Sequence, residues 1–187
     1  MGDAGQAAVF VDRDGTLIRD VGYLCREEQL EILPRVPEAI RSLKERGYKI
    51  VVVTNQSAIA RGFLTEVVLA GIHRELLAQL ARLGAHVDAI YYCPHHPTEG
   101  FAPYKMVCDC RKPETAMIRL AAMELDLAPS RSYVVGDQII DMELAARSGA
   151  KGIWIHDSGE IPGDISSAVA HVVPNLWEAA RWITGTF

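Results

Sequence analysis

Nowhere in the 187 residues is there an apolar run of about twenty, the length needed to cross a bilayer. A basic start leading into an apolar region is also missing. Neither a membrane span nor a signal peptide is therefore expected, and a cytoplasmic location is the default. Dense Lys/Arg runs are absent too. With 19 basic and 24 acidic residues the net charge is −5, which gives a nucleic-acid partner no electrostatic support. No internal repeat, low-complexity tract or linker interrupts the chain. One domain over residues 1–187, of monomer size, is the expectation. Cysteine is scarce. Three of the four, Cys93, Cys108 and Cys110, lie close together and alternate with histidines, a pattern that points to metal rather than to disulfide bridges. Cys25 lies apart in "GYLCREE" and reads as a small buried apolar residue.

What the chain does have is alternation. Residues 7–11, 48–54 ("YKIVVVT"), "VDAIYYC", "SYVVGD" and "KGIWI" read as strands, the second being typical of a strand buried on both faces. Between them "RVPEAIRSLKERG", "TEVVLAGIHRELLAQLARLG", "ETAMIRLAAMELDL" and "QIIDMELAARSG" carry helical periodicity, with Thr65 as an N-cap and Gly47 and Gly84 as stops. "NLWEAARWIT" is a final helix. Such a succession implies right-handed βαβ units: an α/β, three-layer Rossmann-like sandwich around a mainly parallel sheet, with no large cap domain. One stretch, 93–112, has no hydrophobic period and reads as a long inserted loop.

Four polar clusters fall at or just beyond strand ends, where ligands bind in such sheets: Asp12/Asp14, Thr54/Asn55, Arg111/Lys112 and Gly136/Asp137. Taken singly each has a bland reading. Asp14-Gly15 is turn chemistry, Thr54-Asn55 a strand-ending turn, Asp137 a helix cap, Lys112 a solvated charge and Asp141 a surface residue. Together they fit one mechanism for hydrolysing a phosphate monoester, which needs ~20 kcal/mol or more of barrier reduction. Asp12 would be the nucleophile and Asp14 the general acid, then base. Gly15 would let backbone amides approach the phosphate, and Thr54 and Lys112 would stabilise its oxygens. So many carboxylates repel a dianion unless Mg²⁺ intervenes, held by Asp12, Asp137 and the Asp14 carbonyl, with Asp141 behind them. Cys93, His95, Cys108 and Cys110 make a Cys₃His set suited to a closed structural Zn²⁺ site that would staple the loop ending in Arg111-Lys112. His96 in place of His95, or a reduced cluster without metal, are the alternatives.

"VFVDRDGTL", "VVVTNQSAIARG", "YYCPHHP…VCDCRKP" and "YVVGDQIID" together resemble the haloacid dehalogenase-like phosphatases. More narrowly they resemble the D-glycero-D-manno-heptose-1,7-bisphosphate 7-phosphatases of the histidinol-phosphatase-related branch. The resemblance implies the same roles for Asp12, Asp14, Thr54, Lys112, Asp137 and the four zinc ligands. It adds substrate contacts at Asp20, Gly22 and Tyr23, at Asn55, Gln56 and Ser57, and at Arg111. Two departures stand out: Ala58 where the family has Gly, and Gln138 where it often has Lys, so the contact of Gln138 with a distal phosphate loses a charge. A bisphosphate would also favour the cations Arg13, Arg61 and Arg111. The expected partner is a small phosphorylated sugar in nucleotide-activated heptose synthesis for lipopolysaccharide core. Histidinol phosphate is the competing substrate, and a non-catalytic zinc-stapled module the competing class.

Overall fold

The computed structural model describes residues 5–156 and 167–186. In chain order it holds β1 (Ala8–Val11), α1 (Val36–Glu45), β2 (Lys49–Asn55), α2 (Glu66–Arg82), β3 (Ala89–Cys93) and α3 (Ala116–Leu125). There follow β4 (Tyr133–Gly136), α4 (Ile139–Ser148), β5 (Lys151–Ile155), β6 (Val169–Val173) and α5 (Leu176–Thr184). The strands form one parallel sheet in the order β3-β2-β1-β4-β5-β6.

The central strands show no alternation in sequence because both of their faces are buried. Val9, Val11, Ile50, Val52 and Val135 face α1, α2 and α5, while Phe10, Val51, Val53 and Val134 face α3 and α4. Helices reach these faces through apolar stripes at helical spacing, such as Val36, Ala39, Ile40 and Leu43 on α1 and Ile72, Leu76 and Leu80 on α2. Emptying one such position, Leu76 for example, costs about 2–5 kcal/mol. The expected caps hold: Thr65 Oγ1 accepts from the Val68 amide at 3.3 Å, and Gly84 turns the chain away at φ +71°. The three-layer sandwich expected from the alternation is therefore the fold.

Two expectations need correction. β6 was not foreseen from the sequence; it is a short edge strand whose middle residues, including His171, are exposed, so it lacks a continuous apolar run. Cys25 is only half-buried, at the margin of the small cluster of Ala58, Ile59, Leu64 and Leu69. No helix among the described residues is long and apolar enough to cross a membrane.

The topology sets the place of the site. From β1 the chain steps outward to β2 and β3, then returns to lay β4 on the other side of β1. The strand order reverses at β1/β4, and a crevice opens beyond the carboxyl ends there. Register keeps those ends level: Val11 pairs with both Val52 and Val135, and the Asp12 amide donates to the Val135 carbonyl at 2.9 Å.

Candidate active site

At the tip of β1, Asp12 is almost fully buried, and its Oδ1 lies 2.8 Å from Lys112 Nζ. The same ammonium reaches Asp141 Oδ1 at 2.7 Å. Lys112 is thus a buried bridge between two carboxylates and not a solvated charge, and both anions hold its pKa above the ordinary lysine value. Its backbone is fixed as well: the Lys112 amide donates to Asn55 Oδ1 at 3.0 Å, and Asn55 Nδ2 donates to the Lys112 carbonyl at 3.2 Å. So the tip of β2 grips the loop that delivers the lysine.

One lysine does not neutralise the local charge. Carboxylate oxygens of Asp12, Asp137 and Asp141 lie within 4.8 Å of one another. Burial, and Asp141 after the relief given by Lys112, push Asp12 up to about 7. Burial and Asp141 likewise push Asp137 up to about 6. Asp137 Oδ1 is buried with no hydrogen-bond partner. An orphaned carboxylate oxygen facing two more carboxylates is a donor set for a hard divalent cation. Asp141 belongs to this cluster directly, closer in than the supporting place expected for it. Nor is Asp137 the helix cap of its bland reading. Gln138 occupies the N-cap of α4, and its amide donates to Asp141 Oδ2 at 3.2 Å. Trp154 Nε1 donates to the Asp137 carbonyl at 3.0 Å and fixes that backbone.

Asp14 sits apart from the acidic cluster, clamped from behind. Arg13 Nε donates to its Oδ2 at 3.1 Å, Arg13 NH2 to its Oδ1 at 3.0 Å, and Gln56 Nε2 to its Oδ2 at 3.0 Å. Gln56 also donates to Thr54 Oγ1 at 2.8 Å. In front lies a cleft of about 170 Å³ lined by Asp12, Asp14, Asp20, Gly22, Thr54, Asn55, Ser57, Arg111, Lys112, Gln138 and Ile140. Most of the residues singled out in the sequence therefore converge on one space. Arg13 and Gln56 do not open onto it; both are buried behind Asp14, hydrogen-bonded to it and to each other, and border only a small adjoining recess. Tyr23 lines a smaller adjoining recess, packed edge-on against Phe63 at 4.8 Å. Asp20 Oδ1 accepts from the Gly22 amide at 2.7 Å, which shapes the turn over the cleft. Arg61 pairs with Glu99 and stands 5.7 Å from the Tyr23 ring.

The cysteine loop closes beside this cleft. Cys93 Sγ, the last side chain of β3, lies 3.6 Å from Cys108 Sγ and 3.2 Å from Cys110 Sγ. His95 Nδ1 is 3.3 Å from Cys110 Sγ and 3.7 Å from Cys93 Sγ. Cys110 Sγ is 3.4 Å from Cys108 Sγ, and the four donor atoms all lie within 4.8 Å of one another, a cluster that could hold zinc. His96 is turned elsewhere: its Nδ1 accepts from the Glu99 amide at 2.9 Å. Arg111 NH1 donates to the His95 carbonyl at 3.1 Å, so the cluster and the cation on the cleft wall share one piece of backbone.

A family model described as HAD-hydrolase-like matches residues 109–179. The D-glycero-beta-D-manno-heptose-1,7-bisphosphate 7-phosphatase of Pasteurella multocida is 45% identical over 179 residues, which is 95% of this chain and 97% of that protein. Its counterpart in Escherichia coli K12 is 42% identical over 171 residues, 90% of this chain and 89% of that one. This chain belongs to that family of phosphatases. Among solved structures, a putative HAD-like phosphatase from Mesorhizobium loti superposes with a TM-score of 0.85 at 28% identity, covering 97% of this chain and 87% of that one. A D,D-heptose 1,7-bisphosphate phosphatase from B. bronchiseptica, complexed with magnesium and phosphate, gives 0.81 at 28% identity, covering 97% and 99%.

Three side chains at the site of this phosphatase escaped motif reading. Ile140 lines the cleft from α4, Trp154 braces Asp137 from β5, and His73 on α2 contacts Arg13 with its Nε2 3.1 Å from NH1. Their sequence signal is weak. Each sits in an apolar periodic run where it reads as core.

Proposed function

We propose that this phosphatase removes the 7-phosphate of D-glycero-β-D-manno-heptose 1,7-bisphosphate through a phosphoaspartate on Asp12. Nucleotide-activated heptose synthesis for lipopolysaccharide core is the process it would serve. The observation that carries the reading is the pairing of two differently prepared carboxylates at one strand tip. Asp12 is held by Lys112 at 2.8 Å, and Asp14, two residues on, is clamped separately at the edge of the cleft. Substrate class rests on the relatives' names and on Arg111 and Lys112 in the cleft wall.

In the first step Asp12 attacks phosphorus, the bond from phosphorus to the sugar oxygen breaks, and a proton on Asp14 passes to the departing alkoxide. In the second, Asp14 takes a proton from water, whose oxygen attacks the phosphoaspartate, releasing phosphate and restoring Asp12. Lys112 and the Thr54 hydroxyl would meet the charge on the phosphoryl oxygens. Three donors on Asp14 occupy both sites of Oδ2 and one of Oδ1, so Oδ1 keeps a free lone pair and is the atom at which the proton moves. Asp12, Asp137 and Asp141 fit a magnesium ion, which when bound supplies charge neutralisation for the approaching dianion. The Cys₃His cluster fits zinc; Cys93, His95, Cys108 and Cys110 would hold the ion, which would tie the loop to the tip of β3 and supply no catalysis.

The test measures phosphate release with Mg²⁺ from both anomers of the heptose bisphosphate and from histidinol phosphate, with Asp12→Asn as control. Preference for the β anomer, abolished in the control, is the expected result. Preference for histidinol phosphate would discard the substrate, and turnover by a clean Asp12→Asn preparation would discard the nucleophile.

A further inference from the structure

Arg13 is buried to 1% side-chain exposure behind Asp14, outside the main cleft and touching only the small recess beside it. A guanidinium carries five N–H donors and no acceptor, so each buried edge needs its own acceptor. Two edges are satisfied at Asp14 and at Gln56 Oε1, the latter 2.9 Å from NH2. The remaining nitrogen, NH1, finds His73 Nε2 at 3.1 Å. Because arginine only donates, His73 Nε2 must offer its lone pair, and the ring must be the neutral tautomer protonated at Nδ1.

We propose that His73 is a positioning residue for the acid–base step: it fixes the guanidinium that aims Asp14 at the leaving group. The inference rests on the reading of Asp14 as acid and base, and it extends that role to a residue on a different element. α2 holds the ring in place. His73 itself is buried, its neighbours Leu69, Ile72 and Leu76 are all fully buried, and the ring meets Tyr92 edge-on at 5.8 Å. Burial, with the Arg13 charge, holds His73 down to about 4, so no proton competes for Nε2 at neutral pH. The line therefore runs from α2 through His73 and Arg13 to Asp14. It prevents Arg13 from pivoting on its flexible stem and so keeps Asp14 facing the cleft.

The experiment compares substrates that differ in their need for a proton. Sugar alkoxide departs with one, whereas p-nitrophenolate departs without. Steady-state kcat/KM counts only the steps through loss of the leaving group, so it isolates the acid role. The Mg²⁺-loaded, zinc-replete enzyme is assayed on the heptose bisphosphate and on p-nitrophenyl phosphate for His73→Leu, His73→Gln and Asp14→Asn. His73→Leu should lower kcat/KM on the sugar about tenfold, the kinetic equivalent of one buried hydrogen bond, and change the aryl ester less than about twofold. His73→Gln, whose Oε1 can accept from Arg13, should recover most of the loss. If the leucine variant does not fold, His73→Asn, polar but too short to reach Arg13, replaces it. Equal losses on both substrates, no loss on the sugar, or a glutamine variant no better than leucine overturns the proposal. Asp14→Asn separates the two levels. If it shows the split and His73→Leu does not, only the role of His73 falls; if Asp14→Asn strikes both esters alike, the acid–base reading falls and this inference with it.

Discussion

Asp137→Asn offers the sharpest physical test of the acidic cluster, because its effect on stability should change sign with the metal. In the metal-free protein, Asp137 is pushed from 3.8 up to about 6 by burial and by Asp141. A carboxylate whose folded value is raised favours folding only below its unfolded value, and that advantage is lost as pH rises through 6. At pH 8 the charge is therefore a burden on the fold. Two units correspond to about 3 kcal/mol, which the partial exposure of this side chain reduces to about 1–2 kcal/mol. Replacing Asp137 by Asn should thus raise the melting temperature by about 2–8 °C in magnesium-free buffer at pH 8, and the gain should disappear near pH 4. Saturating Mg²⁺ should reverse the order. Wild type gains about 2.7 kcal/mol at a hundredfold excess over Kd, while the variant, with a neutral amide in place of the carboxylate, gains far less. The assay is thermal melting by circular dichroism, with zinc left in place throughout. A variant less stable than wild type without magnesium, or one stabilised equally by Mg²⁺, would refute the argument.

Gly15 adopts φ +76°, and a Cβ there would meet Asp137 Oδ2 and come within 2.7 Å of its Cγ. Gly15→Ala should cost about 1–2 kcal/mol from the backbone alone and weaken Mg²⁺ binding by displacing Asp137; unchanged metal affinity in a titration would contradict this. Cys108→Ser should release the zinc, about one per chain, and lower kcat/KM because Arg111 and Lys112 follow directly on the cluster. Elemental analysis with kinetics checks it, and full activity in a zinc-free variant would sever the loop from the site.

Where one physical demand dominated, the sequence spoke clearly. The run Ile50 to Val53 is apolar throughout because both faces of β2 are covered, and that made the strand and its carboxyl end legible. The Cys₃His set was legible because thiolates and an imidazole at that spacing have few other uses. His95 and His96 are alike in sequence, and only the fold separates them, because the loop turns one ring to the cysteines and the other to the Glu99 amide. Arg13 illustrates the opposite failure. A cation between two aspartates reads as a substrate contact, but the chain folds it inward, where its charge is needed to hold Asp14. Asp141 read as support behind the metal site because i,i+4 spacing from Asp137 says only that the two share a helix face. That it also shares a lysine with Asp12 is a tertiary fact. β6 was illegible for a plainer reason: an edge strand half open to water need not be apolar.

The position of β1 also bears on when the site comes into being during folding. β1 is central, with β2 on one side and β4 on the other, so the contact between Asp12 and Lys112 and the approach of Asp137 join segments about a hundred residues apart. A chain growing from its amino end would hold Asp12, Asp14 and Thr54 long before the lysine and the third carboxylate arrive. The β1–β2 pair can form early from nearby residues, whereas closing β4 onto β1 carries the larger loop entropy. Catalytic competence should therefore appear as a late event in folding, concurrent with β1–β4 docking, and a chain ending before β4 would carry the nucleophile but no means of using it.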